Sequence, residues 1–112
     1  MIKNVRQMIF TFHNESDNPN NTFTLRVGSN MASAIISVTG DGVDFNLNVQ
    51  AKSNENDSYS LISVIDLNTL DLSPQITQNG KYEMLLEGLT EIQIPLTEVA
   101  SGEITVRATI IN

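Results

Sequence analysis

The sequence predicts an all-β protein: a single-domain, antiparallel, jelly-roll-like β-sandwich of about eight strands. Three observations predict it. Apolar and polar residues alternate with period two along most of the chain, as half-buried strands require. The six glycines (28, 40, 42, 80, 88 and 102) punctuate the alternating runs, where turns are expected. No segment carries a 3.6-residue apolar stripe with helix caps. With 112 residues, the chain suits one domain, 1–112, with one modest core.

The elements follow in order. Met8, Phe10 and Phe12 share one face of a first strand, and the polar "HNESDNPNN" after it has loop chemistry. Phe23, Leu25 and Val27 line a second strand, which turns at Gly28-Ser29-Asn30. Ala34, Ile36 and Val38 form a third. "TGDG" at 39 to 42 is a strong turn signal. Phe45, Leu47, Val49 and Ala51 then alternate with Asp44, Asn46, Asn48 and Gln50, the cleanest strand pattern in the chain. "YSLISVIDL" is apolar on both faces, which predicts a central strand covered on both sides. "NTLDLSPQITQNG" is irregular around Pro74.

"GKYEMLLEGLTEIQIPL" supplies two strands joined at Gly88, with Tyr82, Met84 and Leu86 facing one way and Ile92, Ile94 and Leu96 resuming beyond the turn. Pro95 has no amide proton to give a ladder, so it marks an edge strand or a strand end. "PLTEVAS" has room for one helical turn. Ile104, Val106, Ala108 and Ile110 close the chain.

Composition excludes several functions. Net charge is -7, with six Lys+Arg, so the basic footprint of a nucleic-acid binder is missing. An anionic membrane surface is disfavoured for the same reason. A basic protein partner suits the balance better. There is no cysteine, which excludes disulfides and thiolate metal sites. The N-terminal "MIKNVRQMIF" has no signal-peptide pattern, and no apolar run approaches a membrane span.

No catalytic pattern is present. His13 is the only histidine and reads as a surface residue at a strand end. No catalytic, cofactor-binding or metal-ligating set is assigned, and no cofactor is expected. Asp41, Asp44 and the loop residues Asn54, Glu55, Asn56 and Asp57 have calcium-type oxygens, but their spacing matches no EF-hand, and turns favour Asp and Asn in any case. Sugar-binding sandwiches stack their ligands on aromatic rings. Here only Tyr59 and Tyr82 are offered, with no Trp, and both sit in alternating runs that suit packing. Glu83, Glu87, Glu91, Glu98 and Glu103 make the last third acidic, as a solvated sheet face or an acidic contact surface.

Residues 35 to 111 carry a further pattern. "ISVTGDGVDFNLNVQAKS" is a strand, a glycine turn and an alternating strand. "SLISVIDLNTLDLSPQITQNGKYEM" is an apolar strand and a loop into a Gly-Lys-Tyr strand start. "LEGLTEIQIPLTEVASGEITVRATI" is a turn, a strand, a Ser-Gly crossover and a closing strand. This run resembles small β-sandwich structural proteins of tailed bacteriophage virions. The resemblance implies a non-enzymatic, multicopy module: a capsid decoration, a head-fibre base or a tail accessory. Its partners are then other virion proteins or further copies of itself, and it is made in the host cytoplasm and located in the virion. Neither capsid nor tail is favoured. A carbohydrate-binding module for host-surface adhesion is the alternative.

Residues 1–30 lie outside the resemblance. Their apolar Ile2, Val5, Met8, Phe10 and Phe12 precede a long polar loop, which suggests an intersubunit contact. The alternative is that they form the first strand of the domain's own sheet.

Overall fold

A computed structural model of the chain describes residues 8–17 and 23–112. Among these residues there are twelve strands and no helix: β1 (Met8–Ser16), β2 (Thr24–Arg26), β3 (Ser33–Gly40), β4 (Asn46–Leu47), β5 (Gln50–Lys52), β6 (Ser60–Leu61), β7 (Val64–Asp66), β8 (Leu72–Ser73), β9 (Gly80–Leu85), β10 (Glu91–Gln93), β11 (Leu96–Glu98) and β12 (Ile104–Ile111). A six-stranded sheet has the order β1-β12-β3-β9-β7-β8, a four-stranded sheet the order β2-β10-β5-β6, and β11 pairs with β4. Every strand pairing is antiparallel. The predicted antiparallel sandwich is therefore the observed architecture.

Period-two alternation sets the layers. In β3, β9 and β12 the inward residues stand opposite one another, as in Ile36↔Tyr82, Ala108↔Ile36 and Val106↔Val38. They join Leu25, Ala51, Ile92, Leu47 and Leu96 from the other strands in one buried cluster. Each buried Ile or Leu contributes about 1.5–3 kcal/mol by leaving water. The short dimension of the molecule is 25 Å, as expected for two sheets about 10 Å apart with side chains on their outer faces.

The chain has twelve strands rather than about eight because long runs break where they change partner. Phe45, Leu47, Val49 and Ala51 are all buried, so the alternation is real, but the ladder is not continuous. β5 pairs with β10 and β4 with β11, both in the same register. Between them Asn48 stands opposite Pro95. The Asn48 amide donates to the Pro95 carbonyl at 3.1 Å, and proline has no proton to return. Pro95 thus ends β10, as its chemistry predicts, and the break lies inside the pairing.

Two local expectations are corrected. "YSLISVIDL" is not one central strand: β6 lies at the edge of the four-stranded sheet and β7 in the six-stranded one, so Leu61 is exposed while Val64 is buried. Apolarity on both faces arises here from a chain that changes sheets. "PLTEVAS" forms β11 instead of a helical turn. The turn at Gly88 links the consecutive strands β9 and β10, as expected, and crosses from one sheet to the other. There Leu89 donates its amide to the Leu86 carbonyl at 3.1 Å, and Gly88 takes φ 82°, as the third position of a type II turn requires.

Candidate interaction site

The strand that carried the expected contact residues is β1. It has one neighbour, β12, and stands at the border of the six-stranded sheet. The contact candidates it carries, Met8, Phe10 and Phe12, are committed inward, while Ile9 and Thr11 face outward. Phe12 is only 4% exposed, and Met8 and Phe10 are half-buried against the same core. Phe23 closes over them, with its ring centroid 6.3 Å from Phe10 and 5.2 Å from Phe12. Ile2 and Val5 lie outside the described residues. The segment from Met8 onward is therefore a strand of the domain's own sheet, and along its free border it offers backbone groups. That edge is regular from Met8 to Thr11. Beyond it the register shifts twice, and Glu15 takes φ 48°. Such bulges end strand pairing, so a docking strand has about four residues to use.

His13 departs furthest from its expected place at the surface: its ring is 2% exposed. The shift between Thr11 and His13 places two consecutive residues, Phe12 and His13, on the buried side. Nε2 donates to the Ile94 carbonyl at 2.7 Å. β2 pairs with β10 only as far as Gln93↔Thr24, so that carbonyl lies beyond the ladder, and His13 satisfies it. No carboxylate hydrogen-bonds to the ring, and Nδ1 has no partner among the described residues. The arrangement is a structural tie without the orienting partner a general base requires.

The candidate calcium oxygens serve turns. The Asp41 carboxylate accepts the Glu103 amide at 2.9 Å. Asp57 accepts from Ser53 Oγ and Asn54 Nδ2 at 3.1 and 2.9 Å, and Asn54 caps the Asn56 amide. Among the described residues no three acidic or histidine side chains cluster to hold a metal. An open cleft of about 610 Å³ is lined by Asp44, Phe45, Asn46, Gln75, Gln78 and Glu98 among others. Phe45 is buried, so the cleft offers no exposed ring for a sugar.

The two tyrosines divide. Tyr82 is in the core, with its hydroxyl donating to the Gln78 carbonyl at 2.8 Å. Tyr59 lies half-buried on the outer face of the four-stranded sheet. Its hydroxyl donates to Glu91 at 2.6 Å, Lys52 Nζ is 3.4 Å from the same carboxylate oxygen, and Lys52 lies 5.2 Å from the centre of the Tyr59 ring. Burial and the bond to Glu91 raise the Tyr59 pKa. The same bond, with Lys52 and Arg26 nearby, lowers that of Glu91. The ring is occupied by protein partners. Sequence spacing gives no sign of this trio, because its members are brought together by the pairing of β5 with both β10 and β6.

No family model matches the chain, and no curated protein matches it. Two solved structures do. The SPBc2 prophage-derived protein YomS superposes with a TM-score of 0.88 at 17% identity, over 100% of this chain and 98% of that one. The PBSX exported protein XepA superposes with a TM-score of 0.86 at 15% identity, over 100% of this chain and 40% of that one. At such identities the likeness is one of fold: the chain has the β-sandwich fold of YomS from end to end, and that of one part of XepA.

Proposed function

We propose that the chain is a non-enzymatic structural protein of a bacteriophage particle, a multicopy capsid decoration, fibre-base or tail accessory module acting through protein–protein contacts. The observation that carries this reading is the end-to-end match in fold to the SPBc2 prophage-derived protein YomS. The geometry supports it: an edge strand with an open backbone, His13 used as a tie, and clefts with no catalytic constellation among the described residues. Contact through the Met8–Thr11 edge, with the strand of another particle protein or a second copy added beside β1, is the mode that fits β1. The location that follows is the virion, after synthesis in the host cytoplasm.

Electron microscopy of purified particles carrying a tagged copy tests the proposal. Density for the chain at symmetry-related sites is expected. A chain found only free of particles, as a monomer that binds glycans, would overturn it in favour of a host-surface adhesion module. The burial of Tyr82 and the engagement of Tyr59 argue against that alternative. XepA is described as exported, so release from the cell is the rival location, and separating particles from the soluble medium tests it directly.

A further inference from the structure

The outer face of the six-stranded sheet carries an aliphatic band that no element of the described chain covers. The register aligns six residues in one row across all six strands: Ile9↔Thr109, Thr109↔Ile35, Ile35↔Glu83, Glu83↔Ile65 and Ile65↔Leu72. Directly opposed residues share a face, so this row spans about 24 Å at a strand spacing of about 4.8 Å. The next row, Ile111↔Ser33↔Leu85, extends it. Ile9 is 60%, Leu72 72% and Leu85 72% exposed. A soluble domain usually breaks such a band with polar residues, and here only Thr109, Ser33 and Glu83 do so.

The row on the other side is basic. Arg107↔Ser37↔Lys81 places two exposed cations about 10 Å apart across β3. Among the described residues neither forms an ion pair; the ion pair present is Lys52–Glu91. The other two described cations, Arg26 and Lys52, both stand opposite Glu91 in the ladder, so their charge is answered within the sheet. In a protein of net charge -7, two cations without an ion-pair partner among the described residues thus share one face beside the aliphatic band, with Glu83 in the adjoining row.

We propose that this face docks an acidic protein surface, one that presents aliphatic side chains with carboxylates along one flank. The carboxylates meet Lys81 and Arg107, and the aliphatic groups cover the band from Ile9 to Leu72. An anionic lipid surface is the weaker fit, since two cations stand against the overall charge and Glu83 lies within the band. The inference rests on the reading of the chain as a particle component, but its test needs no particle.

The probe is a synthetic strand peptide, Leu-Ser-Leu-Ser-Glu-Ser-Glu, which puts leucines and glutamates on one face. Titrated into the isotope-labelled full chain, it should shift the methyl resonances of Ile9, Ile35, Ile65, Leu72, Leu85 and Ile111. The Lys81→Glu/Arg107→Glu double variant, checked for an intact amide spectrum, should bind at least about tenfold more weakly. Equal binding of the peptide with lysine replacing glutamate overturns the proposal. So do silent methyls, concentration-dependent shifts of these methyls without peptide, or preferential binding to phosphatidylglycerol vesicles. A negative result here leaves the particle assignment standing, and a chain absent from particles leaves this face standing.

Discussion

His13 and Ile94, 81 positions apart in the chain, are joined by a 2.7 Å hydrogen bond from Nε2 to the Ile94 carbonyl. The bond ties the border strand β1 to the point where Pro95 ends β10. A carbonyl can only accept, so Nε2 carries the proton. The donor fills one gap: β2 stops short at Gln93↔Thr24, and His13 takes the carbonyl that the next ladder residue would have met.

His13→Ala should therefore destabilise the fold by about 2 kcal/mol, because a buried carbonyl is left without a donor. His13→Phe fills the space without restoring the bond and should recover only part of the loss. Urea unfolding of the three proteins checks this. Equal stabilities would show that the Ile94 carbonyl finds another donor.

Gly102 and Gly88 separate two causes of glycine dependence. Both have positive φ, 79° and 82°. A Cβ at Gly102 would lie 2.4 Å from the Asp41 carbonyl oxygen, whereas one at Gly88 meets nothing within 4 Å. Gly88→Ala should cost about 1 kcal/mol, the left-handed penalty alone. Gly102→Ala must also displace backbone and should cost about 3 kcal/mol. Thermal unfolding gives the two shifts side by side, and equal shifts would refute the steric argument.

The sandwich was legible because period-two alternation reports burial whatever strand lies alongside. Phe45, Leu47, Val49 and Ala51 are buried as their spacing implies. Pairing was not legible, because alternation says nothing about the neighbouring strand; the same run serves β4 and β5 beside different partners. His13 was misread because a register shift reverses the faces beyond it, and "FTFHNES" contains no glycine or proline to announce one. The outer aliphatic band was hidden as well. Ile9 and Ile35 occupy the polar phase of their own runs, Ile65 lies in a run apolar on both faces, and only the register aligns them.

The Tyr59–Glu91 bond makes a pH prediction. The hydrogen bond from Tyr59, followed by Lys52 and Arg26, lowers the Glu91 pKa below its ordinary 4.5. A lowered carboxylate contributes stability above its ordinary range, and that contribution is lost as pH falls through the folded value. Tyr59 is the opposite case. Its raised pKa gives a contribution present below pH 10 and lost as pH rises through the folded value. Tyr59→Phe should move the Glu91 carboxyl titration upward, seen by carbon NMR. The stability gap between variant and parent should narrow under acid, and an unmoved titration would mean the bond is absent in solution.

Ile76 tests whether the core extends into a segment that reads as loop. It follows Pro74 in an irregular stretch, outside every named strand, yet it is 0% exposed. A single bridge holds it there: Ile76 and Leu47 exchange amide–carbonyl bonds of 2.9 Å in both directions. Leu70, in the same connecting region, is 75% exposed. Ile76→Ala removes buried methyl groups and leaves a cavity, so it should cost about 3 kcal/mol. Leu70→Ala removes groups already in water and should change stability by less than about 0.5 kcal/mol, although the φ of 64° at Leu70 is kept by either residue. Chemical denaturation of both variants distinguishes the cases. Similar small losses would mean that the 72–78 segment lies over the core without completing it, and the cleft beside Gln75 and Gln78 would then be free to open.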